Sequence, residues 1–186
     1  MAERGYLLLL IGAGLMVFTA LPMINFGFLF AGMLLILNGV INMRTSAKEL
    51  EYAKYSAIIA LVCGLILSFF VRPLSVQLVI LVIILQLFFE ISTFFWLFKA
   101  EYMWSPQQRR RIDWLIYTFA AGLHLLVTMF LYLPVIGFRV LPLVGIFNLF
   151  NVQLFTMFLH YGVLIFILVK LYLEAKGNAP GLRRWR

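Results

Sequence analysis

Polar residues interrupt this chain only at wide intervals, and the apolar runs between them are the length of a lipid bilayer. The runs occupy residues 5–21, 26–43, 55–71, 74–98, 113–133 and 147–173. At 1.5 Å per residue, ~20 helical residues cross a ~30 Å hydrocarbon core. Within each run the apolar residues are continuous and do not alternate with period two, which selects helices over the strands of a barrel. Of the 186 residues, 65% are apolar, against ~45–50% in an average soluble domain. No soluble core of this size hides that much apolar surface. The expected fold is an all-α membrane protein: six transmembrane helices arranged as three hairpins in a single polytopic domain, 1–186. Runs 5–21 and 55–71 sit at the short limit for a crossing. The apolar stretch 141–173 is too long for one, so the sixth helix is placed at 147–173 and residues 134–145 become a loop.

The net charge of +8 would suggest nucleic acid in a soluble protein, but here the cations have another arrangement. Arg4, the second loop (Arg44, Lys48, Lys54), the fourth loop (Lys99, Arg109, Arg110, Arg111) and the C-terminal segment (Lys170, Lys176, Arg183, Arg184, Arg186) all fall on one side of a six-span thread. Only Arg72 and Arg139 fall on the other. Such asymmetry over short loops predicts that both termini face the cytoplasm, in a multi-pass protein of the inner membrane. The first run is read as an uncleaved span, because Phe18-Thr19-Ala20 offers no small-x-small cleavage site.

Catalytic signatures are missing. The sequence has no phosphate loop of the GxxxxGK[ST] type, no HExxH and no GxSxG elbow. One cysteine, two histidines and seven acidic residues are few for metal or nucleophile chemistry, so neither an enzyme nor a metal site is expected. Cys63 lies inside an apolar run and reads as a small buried hydrophobe.

The three hairpins share a pattern. Gly12 and Gly14 precede Pro22, Gly64 precedes Pro73, and Gly122 precedes Pro134. Pro suits a turn that must leave no N–H unsatisfied, and Gly is expected to let helix backbones approach closely. The stretch Leu8-Leu9-Leu10-Ile11-Gly12-Ala13-Gly14-Leu15-Met16-Val17, followed by Pro22 and by Leu34-Leu35-Ile36-Leu37-Asn38-Gly39-Val40-Ile41, resembles the hairpin repeat of the HdeD family. Those are small six-span bacterial inner-membrane proteins, some of them associated with acid stress. The second hairpin is similar but has Phe89-Glu90-Ile91 where the first has Asn38-Gly39-Val40, and the third departs further. The resemblance brings no catalytic motif. It implies a compact, non-enzymatic membrane protein: a subunit, scaffold or stress-response protein that works through helix–helix assembly, as a homo-oligomer or with a membrane protein partner.

Ionisable groups inside a bilayer are costly and therefore informative. Gln86 and Glu90 lie one turn apart on the fourth helix, and His124 and His160 lie deep in the fifth and sixth. All four are expected near mid-membrane, as an intramembrane polar cluster that hydrogen-bonds across helices. Two alternatives accompany that reading. His124 and His160 could ligate a b-type haem in a redox subunit, or Glu90 with the histidines could form the proton or ion path of a minimal transporter or channel. No cofactor is otherwise expected. Asn38 with Asn42, and Asn148 with Asn151, are expected to bond across helices.

Arg109, Arg110 and Arg111, together with Arg183, Arg184 and Arg186, are expected to make a basic cytoplasmic patch that meets anionic lipid headgroups at ~1 kcal/mol per cation. Ser105 before Pro106 reads as an N-cap with Pro at N1, starting a helix that leads into the fifth run.

Overall fold

A computed structural model of the chain describes residues 2–18, 27–43, 47–70, 74–104, 108–132 and 149–177. Among them are six α-helices and no strands: α1 (Ala2–Phe18), α2 (Gly27–Ile41), α3 (Lys48–Phe69), α4 (Val76–Trp104), α5 (Gln108–Tyr132) and α6 (Leu149–Ala175). Four of these, α3 to α6, are long and apolar enough to cross a membrane, while α2 is a shorter apolar helix. The described residues are therefore all-helical, with the character of a membrane protein.

Each helix packs on the helices that flank it in sequence, and α1 packs on α6, which closes the six into a ring. Neighbours run antiparallel. Gly5 faces Gly39 and Gly12 faces Gly32 between α1 and α2. Ser56 meets Ser92 between α3 and α4 at 3.1 Å, and Asp113 pairs with Lys170 between α5 and α6. The start of α1 and the end of α6 therefore lie at the same end of the bundle, together with Lys48, Lys99 and Arg110.

The packing follows the sequence through heptad spacing. The buried positions of α3 include Leu50, Ala53, Ala57, Ala60, Gly64 and Leu67, steps of three and four that keep one seam turned inward. Most of these are small, so neighbouring helices can approach closely. The same spacing explains why α3 begins at Lys48 and not at residue 55. Lys48, Glu49, Glu51 and Lys54 look like loop by composition, yet Leu50 and Ala53 between them are 1% and 0% exposed. Glu49 and Glu51 in the first turn also suit the positive end of the helix dipole. In the same way α4 and α5 run past the apolar limits at residues 98 and 113, because Glu101 and Arg110 turn inward. Ser105 and Pro106, read as a cap, lie outside the described residues.

Glycine follows the hairpin pattern only in part. A Cβ at Gly12 would stand 2.7 Å from the Gly32 carbonyl oxygen, and one at Gly5 would stand 3.0 Å from that of Gly39. These four glycines, at heptad spacing on two helices, let α1 and α2 touch backbone to backbone. Gly14 and Gly122, expected to do the same, would meet nothing within 4 Å. Asn38 and Asn42 also depart from expectation: Asn42, just past the end of α2, donates from Nδ2 back to the Asn38 Oδ1 at 2.8 Å on an exposed face, and does not reach across to another helix.

Candidate functional site

The buried polar side chains gather between α4, α5 and α6 at two levels. At the first level, near the middle of the bundle, Gln86, Glu90, His124 and His160 are all buried, Glu90 and His160 completely so. Heptad arithmetic puts them inward: Gln86 and Glu90 are one turn apart on the inner face of α4, with Thr93 and Phe94 continuing it. Gln86 Nε2 donates to Glu90 Oε2 at 3.0 Å. The two imidazoles pack against one another, ring centroids 5.5 Å apart and planes tilted by 34°.

The four residues are joined by two tyrosines that composition and depth did not single out. The Tyr117 hydroxyl lies 3.3 Å from His160 Nε2 and 3.5 Å from the Ile91 carbonyl on α4. Tyr161 stacks on His160 at 4.8 Å, and its phenol is an electrostatic neighbour of the Glu90 carboxyl. The amide–carboxyl pair and the imidazole pair thus form one cluster, with Tyr117 and Tyr161 between them. Thr156 extends it by a turn. Its hydroxyl donates to the Gln153 carbonyl at 3.0 Å, so at 3.5 Å it stands as acceptor toward His124 Nδ1. A signal for Tyr117 was present: it lies seven residues before His124, on the same face of α5.

The cluster has atoms left over. Glu90 Oε1, His160 Nδ1 and Thr128 Oγ1 are buried with no hydrogen-bond partner among the described residues. An unpartnered buried group costs roughly 1–3 kcal/mol, so such atoms mark where a small polar guest would be welcome. Among the described residues, no three side chains of His, Cys, Asp or Glu converge as metal ligands would.

The second level lies at the basic end. Arg110 donates through Nη1 to Glu101 at 2.7 Å and through Nη2 to Glu174 at 2.9 Å. Tyr6 on α1 donates to the same Glu101 from across the ring, and Lys170 pairs with Asp113 alongside. One network thereby ties α1, α4, α5 and α6. Arg110 is turned into the bundle, so of the expected basic patch the described residues show Arg111 exposed and Arg110 withdrawn into carboxylates. The side chain of Arg109, and Arg183, Arg184 and Arg186, lie outside the described residues. Phe94, Leu97, Phe98, Leu164 and Leu168, each at most 3% exposed, pack between the two levels. By helical rise Glu90 and Glu101 are ~16 Å apart, and this apolar layer insulates one from the other.

Outside the ring, α5 and α6 leave a groove of ≈ 360 Å³, lined by Ile116, Phe158, Leu159, Gly162 and Phe166, with Asp113 at one end. Gly162 opens it, since a Cβ there would meet nothing within 4 Å. Cys63 is buried and free.

Comparison of the chain with protein-family models, with curated proteins and with solved structures gives no match.

Proposed function

We propose that this is a small, non-enzymatic integral membrane protein that threads the inner membrane six times, keeps both termini in the cytoplasm and works by assembling with other membrane helices. The observation that carries the assembly reading is the placement of the glycines the fold does not use. Gly122 and Gly162 are exposed on α5 and α6, and no atom lies within 4 Å of a Cβ built on either. In a bilayer, apolar surface alone does not drive helices together, and small residues mark the faces where they meet. Large apolar side chains surround these openings: Phe119 is 71% exposed and Phe166 68%. Lipid and the anionic headgroups of the inner leaflet cover whatever a partner does not, and a role as subunit, scaffold or HdeD-like stress protein suits such a surface.

The test is a native mass measurement in mild detergent on the full chain and on Gly122→Trp and Gly162→Trp. A wild-type oligomer or stable complex that dissociates in either variant supports the reading. A wild-type monomer with no bound protein overturns it. Reporter fusions at the two termini check the topology, and opposite locations would refute six spans.

The completely buried Glu90 favours a second reading, a minimal proton or ion path. Flux into liposomes that is equal for wild type and Glu90→Gln counts against it. For the haem alternative, the imidazole pair gives weaker support: His160 Nε2 is engaged by Tyr117, His124 Nδ1 faces Thr156, and the rings lean on one another. A Soret band in the purified protein would restore that alternative.

A further inference from the structure

We infer that Glu90 Oε1 and His160 Nδ1 hold a buried water inside the α4–α5–α6 cluster, forming a proton-exchanging site at mid-bundle. It depends neither on assembly nor on flux.

The site is defined by what its neighbours already use. On α4, Gln86 takes Glu90 Oε2 and leaves Oε1. On α5, Tyr117 takes His160 Nε2 and leaves Nδ1, and His124 is turned to Thr156. On α6, Tyr161 lies against both, its ring on the His160 imidazole and its phenol beside the Glu90 carboxyl. On α3, Ser56 is spent on Ser92, and on α1 the phenol of Tyr6 is spent on Glu101. Oε1 and Nδ1 are thus left without a hydrogen bond of good geometry on two fully buried side chains that flank one tyrosine, and the Tyr161 phenol is the neighbour that reaches the Glu90 carboxyl.

Water fits this place better than a cation or an organic ligand. It is small, and Oε1, Nδ1 and the Tyr161 phenol supply the two to four polar partners that a buried water needs. It also suits either state of the imidazole. If Tyr117 donates to Nε2, then Nδ1–H donates to the water oxygen. If Tyr117 instead donates to the Ile91 carbonyl, Nε2–H donates to Tyr117, and Nδ1 accepts from the water. A metal ion would find one carboxylate, one imidazole and no third ligand of those types among the described residues. In the second tautomer a proton can cross the site. The O–H bond of the Glu90 carboxyl breaks as its proton joins the water oxygen. A water proton passes to Nδ1, and the water molecule is regenerated between a carboxylate and an imidazolium.

The experiment is water-edited solid-state NMR on the full chain, labelled with ¹³C and ¹⁵N, in phosphatidylethanolamine–phosphatidylglycerol vesicles. Signals of the Glu90 carboxyl and His160 Nδ1 are assigned by their loss in Glu90→Met and His160→Phe. In wild type both atoms should receive magnetisation from water protons. In each variant, transfer to the remaining partner should fall several-fold. His160→Phe keeps a ring stacked on Tyr161, so it decides the matter if Glu90→Met does not fold. No transfer to either atom in wild type overturns the proposal, as does transfer that survives undiminished in the variants. A protein that is monomeric, or that carries no flux, would still give this reading.

Discussion

A Cβ placed on Gly12 would lie 2.7 Å from the carbonyl oxygen of Gly32 and 3.2 Å from the backbone nitrogen of Ile36. Backbone cannot swing aside as a long side chain can, so Gly12→Ala must push α1 away from α2 and open the contact at Gly5 and Gly39. Overpacking of this kind costs ~1–3 kcal/mol. Gly14→Ala, two residues on, meets open space and should be neutral or slightly stabilising, since Ala is the better helix former by roughly 0.5–1 kcal/mol. Unfolding by titration with a denaturing detergent, followed by helicity, measures both. Equal midpoints would show that the close approach contributes nothing.

Arg110 holds two carboxylates with two different nitrogens, a geometry that lysine cannot copy with a single ammonium. Arg110→Lys should therefore recover only part of what Arg110→Met loses. Removing the guanidinium leaves Glu101 and Glu174 half-buried and facing one another. Charge-assisted bonds contribute ~1.5–3 kcal/mol each when shielded, but these side chains keep 16–23% of their exposure, so a total loss of about 1–3 kcal/mol is expected. Arg111→Gln, on an exposed residue, should change little. A double-mutant cycle of Arg110→Met with Glu174→Gln should show coupling, and additivity there would refute the bridge.

Much of this arrangement is legible in the chain, and the reason for each gap is physical. Helix existence follows from apolar run length, because only a bilayer or a large core tolerates such runs. Helix ends do not follow, because Lys48–Lys54 and the segments around Glu101 and Arg110 carry their charges on a helix that still has an apolar seam. Depth alone identifies Gln86, Glu90, His124 and His160, since polar and ionisable groups far from the ends of long runs must turn inward. It misses Tyr117 and Tyr161, because a phenol is at home at any depth and only its partner shows what it does. Glycine spacing also misleads when read one helix at a time. Gly12 and Gly14 look equivalent, and only the position of Gly32 on the facing helix tells them apart.

Association should depend on the exposed glycines of α5 and α6. Gly162→Leu fills the groove between Phe158 and Phe166 from within, and the fold itself has room for the new side chain. The isolated chain should keep its unfolding free energy within ~0.5 kcal/mol, as expected for a substitution that disturbs no contact. Self-association or capture of a membrane partner, measured by energy transfer between labelled chains in vesicles, should fall at least tenfold. A variant that associates like wild type would place the assembling face elsewhere.

Tyr117 on α5 makes the polar link to His160 on α6. The hydroxyl of Tyr117 lies between His160 Nε2 and the Ile91 carbonyl, while its ring packs edge-on against Phe98 at 5.0 Å and Phe94 at 6.2 Å. Tyr117→Phe keeps those ring contacts and removes only the oxygen, so the loss isolates the polar link. Interhelical hydrogen bonds in membrane proteins average ~0.6 kcal/mol by double-mutant cycle, with a ceiling near ~1.7. Coupling to His160→Phe should fall in that range, because each single variant orphans the atom that the other would have satisfied. The same substitution should leave the Arg110 network untouched, since the apolar layer of Leu97, Leu164 and Leu168 lies between them. Coupling of Tyr117 to Arg110 as large as its coupling to His160 would mean that the two polar levels act as one unit, and the insulating role given to that layer would have to be abandoned.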